Sequence, residues 1–254
     1  MAITIMLDAG HYGKYNRSPV VKDYWESDMA WALQLELKKE LEAYGFKVLT
    51  TRENKDKDLS LEQRGLAAKG CDIFLSLHSN ACDNETVDRV EVYRPFDRKC
   101  ADDIGGKLAA GIAELMGASY GCVKTRESAE YPGSEYYGVM RGARKAGVPL
   151  YFIIEHSFHT NTNATKWLMD KENLLKLAVF EAGVIAGYYG YSKIIHGDVN
   201  GDGKVNSKDY MMVKRYVTGT LKLTDEQLEA ADISGDGKVN AKDYMMIKRA
   251  VLNQ

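Results

Sequence analysis

No apolar run in the 254-residue chain approaches membrane-spanning length, which argues against an integral helical membrane protein. A charge surplus is missing too. With 34 basic and 36 acidic residues the net charge is −2, so a nucleic-acid partner held by bulk electrostatics is disfavoured. Cysteine is scarce: Cys71, Cys82, Cys100 and Cys122 are scattered and form no CxxC pair. They read first as buried or half-buried thiols and second as disulfide partners. The N-terminus shows no basic segment followed by an apolar one and a small-residue cleavage site. Two readings follow, a cytosolic chain or a mature form without its leader. What remains is 45% hydrophobic and 28% charged, ample for a sizeable core in one or two domains.

The stretch Ile3-Thr4-Ile5-Met6-Leu7-Asp8-Ala9-Gly10-His11 has the length and β-branched content of a buried strand, broken by Gly10 and followed by a histidine. Asp72 to His78 repeats the pattern, and Pro149 to Glu155 repeats it again with a carboxylate at the end. Open α/β sheets keep their ligands just past the carboxyl ends of their strands. Two parallel strands therefore place His11 and His78 at one sheet edge. Each residue alone has an ordinary structural explanation; three together do not.

Between these strands, Met29, Leu33, Leu37 and Leu41 make one apolar stripe on a helix over about Ser27 to Tyr44, with Gly45 as the residue after its end. Phe46 to Thr51 reads as a strand, giving a β-α-β opening. Ser60-Leu61-Glu62-Gln63 resembles a capping box opening a short helix that stops near Gly70. Val90 to Tyr93 is a short strand and Ala101 to Met116 a helix. Tyr120 to Gly138 reads as loop, its tyrosines equally suited to a platform for sugar or peptide and to an ordinary surface. Asn163 to Tyr189 is helical, in one piece or two.

Glu26 joins the cluster at the start of the first helix, where an acidic residue also complements the helix dipole. Two imidazoles and a carboxylate, with a position left for water, suit catalytic zinc. Such an ion lowers the pKa of bound water to about 7 and polarises a carbonyl. A second carboxylate then moves the proton from water to the leaving amine. The residues alone leave open which glutamate is ligand and which is base.

Leu7-Asp8-Ala9-Gly10-His11, Glu26, Ser76-Leu77-His78-Ser79-Asn80-Ala81 and Ile154-Glu155 with Asn161, supported by Leu59 to Arg64 and Tyr137 to Arg141, resemble the type-3 family of zinc-dependent N-acetylmuramoyl-L-alanine amidases over Ile3 to Tyr189. The resemblance implies one zinc held by His11, Glu26 and His78, Glu155 as catalytic acid/base, and a twisted mixed α/β sheet flanked by helices. It also implies cleavage of the peptidoglycan amide between N-acetylmuramic acid and L-alanine. Two departures stand out: Tyr12 follows the first histidine, and His156 and Ser157 follow Glu155 where the family has small residues. His156 and His159 could supplement the site, but read more simply as outer supports of it or as surface residues.

After a break at Gly190 to Gly197 the chain repeats itself. Asp198-Val199-Asn200-Gly201-Asp202-Gly203-Lys204-Val205-Asn206 recurs as Asp232-Ile233-Ser234-Gly235-Asp236-Gly237-Lys238-Val239-Asn240, and each copy continues into an amphipathic helix. Oxygen ligands at loop positions 1, 3 and 5, glycine at 6 and an acid at 12 are the calcium loop of an EF-hand. The first calcium set is Asp198, Asn200, Asp202, Lys204 (backbone carbonyl), Asn206 and Asp209. The second is Asp232, Ser234, Asp236, Lys238 (carbonyl), Asn240 and Asp243. Position 12 is Asp rather than Glu, and Tyr191 to His196 reads as extended, so no long helix enters the first loop. A calcium-responsive signalling protein is thereby disfavoured.

Loop plus exiting helix, duplicated over Gly197 to about Leu252, resembles a dockerin module, a small all-α domain. The resemblance implies two structural calcium ions, a cohesin domain on a scaffold protein as partner, and recognition through Ser207, Lys208, Ala241 and Lys242. The expected plan is a catalytic domain over 1–190, a linker over 191–196 and a dockerin over 197–254. The expected location is extracellular, in a cellulosome-like assembly. Two alternatives are a zinc hydrolase cutting another peptidoglycan amide and a non-catalytic wall-binding adaptor.

Overall fold

The computed structural model describes residues 3–55 and 57–252. The outermost residues of the two expected domains, 1–2 and 253–254, lie outside the described residues. The chain divides into two compact units between Tyr191 and Ser192. Tyr191, at the head of the expected linker, stacks on Phe46 with ring centroids 4.3 Å apart, and its hydroxyl accepts from the Ile3 N–H. It thus packs with the first unit.

The first unit runs β1 (Thr4–Ala9), α1 (Glu26–Glu42), β2 (Lys47–Thr50), α2 (Leu61–Leu66), β3 (Ile73–Asn80), β4 (Val90–Tyr93), α3 (Asp102–Met116), β5 (Gly121–Lys124), α4 (Gly138–Lys145), β6 (Leu150–Phe158), α5 (Thr162–Met169) and α6 (Lys171–Tyr189). The sheet order is β2-β1-β3-β6-β4-β5. β2, β1, β3 and β6 are parallel; β4 runs antiparallel to β6 and carries β5 parallel to itself. This is the expected mixed sheet flanked by helices.

Alternation along the strands separates two faces. Ile5, Leu7, Leu75, Leu77, Phe152 and Ile154 form one core with the stripe Met29, Leu33, Leu37, Leu41 of α1 and with residues of α3 and α6. Met6, Phe74, Tyr93, Tyr151 and Ile153 face the other way, onto Val139, Met140 and Ala143 of α4. Toward the carboxyl ends of the parallel strands this second face turns polar, with Asp8, Ser76, His78 and Glu155 in the same alternation.

Several elements differ from the sequence reading. β3 continues past His78 to Asn80, and β6 past Glu155 to Phe158. Both residues therefore project from the sheet face within a strand. Of the three, only His11 lies beyond its strand. The stretch read as loop after Tyr120 contains β5. Gly121 is needed there, because a Cβ would stand 1.9 Å from the Ala109 carbonyl oxygen of α3. α4 is an additional helix. It packs on α2 through glycine: a Cβ on Gly142 would meet the Glu62 carbonyl at 2.1 Å, and one on Gly65 the Val139 carbonyl at 2.0 Å. The capping box at Ser60 and Gln63 is present. The last helical stretch is in two pieces, with Asp170 ending α5 and capping α6. The four cysteines are free, and Cys100 is exposed rather than buried, on the turn preceding α3.

The second unit holds α7 (Ser207–Val217), α8 (Asp225–Ala231) and α9 (Ala241–Leu252). Its fully packed core is four side chains, Val199, Val213, Ala231 and Ile247. The Tyr210 and Tyr244 hydroxyls are 2.6 Å apart and their rings stack at 4.9 Å, joining the equivalent helices of the two repeats. α8 leads into the second loop; no helix leads into the first.

Candidate metal centre

His11, Glu26 and His78 each present one ligand atom, all within 4.8 Å of one another. Three elements deliver them: the turn after β1, the first residue of α1, and the face of β3. Glu26 is 1% exposed. Its Oε2 lies 3.2 Å from His11 Nε2 and its Oε1 2.8 Å from His78 Nδ1. Asn16 donates to Glu26 Oε2 at 2.6 Å, and the Ser79 N–H donates to Oε1. Burial alone raises a carboxyl pKa; here the two imidazoles outweigh it and hold Glu26 well below the usual carboxylate range. For His78 burial acts downward, but the hydrogen bond and charge of Glu26, with Glu155 and Asp8, push it up to about 9.

The tautomer of His78 follows from its neighbours. Ser76 donates its hydroxyl to Asp8, so it accepts from His78 Nε2–H, 3.1 Å away. That leaves Nδ1 facing Glu26 and His11: it donates its own proton to the Glu26 carboxylate, and a metal bound there would displace that proton, while Ser76 holds Nε2–H in the way outer partners orient metal-binding histidines. Asp8 is fully buried and accepts also from Arg64 and Thr51. Arg64 spans the turn, donating to the Ala9 and His11 carbonyls.

Gly10 is dictated by contact. A Cβ there would lie 2.3 Å from His78 Cε1. His11, Asn16 and Ser157 are the non-glycine residues with positive φ among the described residues, at 57°, 51° and 59°. Strain of this kind, on the order of 1–3 kcal/mol each, collects at functional sites. Here two of the three touch the Glu26 carboxylate.

Glu155 is the register partner of His78 on β6. Its Oε2 is buried with no hydrogen-bond partner among the described residues. Burial, with the charges of Glu26 and Glu91, outweighs His78 and His156 and pushes its pKa up to about 7. A carboxyl poised there exchanges protons readily at neutral pH. His156 and His159, read as outer supports or surface residues, are both buried. His156 bridges the His78 carbonyl and Glu181 at 2.9 and 2.8 Å. His159 Nδ1 lies 3.0 Å from the Ser79 hydroxyl.

In the second unit the two loops superpose in their bonding. Asp198 accepts from the N–H groups of Gly201, Asp202 and Gly203, and Asp232 from those of Asp236 and Gly237. Asp209 and Asp243, both fully buried, each close their loop by accepting from its third and ninth residues. Gly203 and Gly237 take φ of 83° and 78° at the sharp turn. Asn200, Asp202, Lys204, Ser234, Asp236 and Lys238 occupy the intervening oxygen positions. The side-chain oxygens of Asn206 and Asn240 accept from the N–H groups of Lys208 and Lys242, at the start of each exiting helix. Ser207, Lys208, Ala241 and Lys242 are exposed at those helix starts. Lys208 and Lys242 each lie 3.3 Å from the aspartate at loop position 5.

The N-acetylmuramoyl-L-alanine amidase family profile matches residues 5–185, and the dockerin type I domain profile matches residues 196–252. A comparison with curated proteins finds no match. Among solved structures, the chain is similar to the catalytic domain of CwlV, an N-acetylmuramoyl-L-alanine amidase from Bacillus (Paenibacillus) polymyxa var. colistinus. The TM-score is 0.62 at 19% identity, over 75% of this chain and 99% of that one. It is also similar to an N-acetylmuramoyl-L-alanine amidase from Clostridium difficile 630, with TM-score 0.63 at 19% identity over 74% and 97% of the two chains. For the amidase AmiC2 of Nostoc punctiforme the values are 0.59, 20%, 74% and 97%. At these identities the structural likeness speaks for the fold, and the profile matches speak for the family. The chain belongs to the N-acetylmuramoyl-L-alanine amidase family and carries a C-terminal dockerin type I domain.

Proposed function

We propose that residues 1–190 form a zinc-dependent hydrolase that cuts the amide between N-acetylmuramic acid and L-alanine in peptidoglycan. Residues 191–196 link it to a calcium-ordered dockerin over 197–254 that anchors it to a cohesin-bearing scaffold outside the cell. The observation that carries the enzymatic reading is the convergence of His11, Glu26 and His78 beside Glu155, whose buried Oε2 has no hydrogen-bond partner among the described residues. Two imidazoles and one carboxylate are the donor set of catalytic zinc, and Ser76, by holding His78 Nε2–H, keeps Nδ1 turned toward the other two donors.

Zinc held by these three residues supplies a Lewis acid and a water acidified to a pKa of about 7. The chain does the rest. Glu155, with its pKa near neutrality, accepts the proton of the attacking water and returns it to the leaving alanine nitrogen. The Asp8–Ser76 pair keeps His78 in one tautomer, and Arg64 pins the turn that carries His11.

The second unit supports its own part of the reading. Hard oxygen donors at six loop positions, glycine at the sixth and two buried closing aspartates suit calcium. The near-equivalent pairs Ser207-Lys208 and Ala241-Lys242 offer two related docking faces.

The test is mass spectrometry of purified peptidoglycan digested with the full chain, with and without a zinc chelator. Stem peptides newly bearing a free N-terminal L-alanine, absent with chelator, are expected. Cleavage of other amides only would overturn the substrate assignment. Intact peptidoglycan of several chemotypes would favour the adaptor reading.

A further inference from the structure

The sheet face that carries Glu155 continues one strand further, to a charge cluster whose two cations neither the metal centre nor the proton transfer uses. Glu91 stands on β4 in antiparallel register with Glu155 and is 1% exposed. Its Oε1 accepts from Arg89 Nε and Lys124 Nζ, both at 2.6 Å. Its Oε2 accepts from the Tyr93 hydroxyl at 2.9 Å and the Asn80 amide at 3.1 Å. Two cations on one carboxylate leave one surplus positive charge. The charge is also sorted by depth: Glu91 is sealed, while the Arg89 and Lys124 side chains are 26% and 37% exposed. Among the described residues Arg89 spends only its Nε on hydrogen bonding, so its terminal nitrogens stay available. Its guanidinium rests 4.8 Å from the Phe158 ring and the Lys124 ammonium 5.9 Å from that of Tyr93, which fixes both side chains.

Resting on the amidase reading, we propose that Arg89 and Lys124 form an anion subsite for the free α-carboxylate of a γ-linked glutamate directly following the stem alanine. Glu91 is a positioning residue that holds the two cations. The spacing fits. Residues opposed across an antiparallel pair stand ~4.5–5.5 Å apart. The alanine whose nitrogen leaves beside Glu155 is followed by one peptide unit, ~3.8 Å from Cα to Cα, and the α-carboxylate is bonded to that second Cα. A stem laid across the strands from Glu155 toward β4 brings this carboxylate over the cations. The amidated form of the same residue carries no charge and forfeits the charge-assisted pairing.

The experiment compares N-acetylmuramoyl-L-alanyl-D-glutamate with the corresponding isoglutamine compound, the γ-carboxyl of both capped as its methylamide so that only the α-group differs, using the full zinc-loaded chain. The KM for the acid is expected to be about tenfold lower, the size of one charge-assisted contact. That preference should fall toward one in Lys124→Met and return in Lys124→Arg. Calorimetric binding of the γ-methylamide-capped product dipeptides, L-alanyl-D-glutamate against L-alanyl-D-isoglutamine, should follow the same order. Equal KM values and equal dipeptide binding would overturn the subsite and leave the amidase reading intact. If neither compound nor peptidoglycan is cut, the amidase reading falls instead, and dipeptide binding still decides the subsite.

Discussion

The two units gather metal donors in opposite ways. In the first, His11, Glu26 and His78 come from a turn, a helix start and a strand face, and a sheet with a core on each side sets their spacing. In the second, each set lies within one twelve-residue loop, over a core of only four fully packed side chains. A site assembled by the fold is available before the metal arrives. A site made by the chain locally needs the metal to hold its fold, because so small a core contributes little. On the proposed reading the contrast also separates the roles: the preorganised site would serve chemistry, the calcium-ordered one docking.

Breaking the first site at a ligand should have the largest effect. His78→Ala is expected to lower zinc affinity by more than the ~10–100-fold typical of losing an outer partner, with turnover lost alongside, as read by metal titration. Calcium removal sharpens the contrast next. With a calcium-selective chelator, calorimetry should show the second unit's transition disappear while that of the first stays in place. A chelator that left both transitions unmoved would erase the distinction.

Smaller changes probe how the fold holds the first site. Gly10→Ala forces the His78 ring away from a Cβ that would stand 2.3 Å from it. Overpacking of this kind costs ~1–3 kcal/mol, and zinc affinity should drop with the melting temperature. Ser76→Ala removes the acceptor that orients His78 Nε2–H. It should weaken zinc ~10–100-fold and lower the melting temperature as well, because the buried Asp8 Oδ2 loses the hydroxyl that donates to it, a cost of ~1–3 kcal/mol.

Much of this was legible in the sequence. The convergence of His11, His78 and Glu155 could be read because each follows or ends an apolar run that parallel strands bring together, and Glu26 because it opens the helix after the first of them. The calcium loops were legible because their donors are contiguous and occur twice. Other features depended on partners that no single stretch reveals. Val139 to Lys145 received no helix from the sequence, and the glycines of α4 matter only through the close approach to α2 that they permit. β5 is four residues long and borrows its order from β4. Ser76 and Asp8 become meaningful only once the β1–β3 register sets them side by side. The extension of β3 and β6 past His78 and Glu155 moved both from the sheet edge onto its face, and that face is what joins Glu155 to Glu91.

The central claim is that one carboxylate moves the proton while three other residues hold the metal. The most direct test is zinc content and turnover measured together on Glu155→Gln. Glu155→Gln is expected to hold stoichiometric zinc in a folded protein, with hydrolysis of the muramoyl–alanine amide reduced ~10²–10⁴-fold, the usual share of general acid–base catalysis. Turnover like that of the unmodified chain, or loss of zinc from the variant, would contradict it.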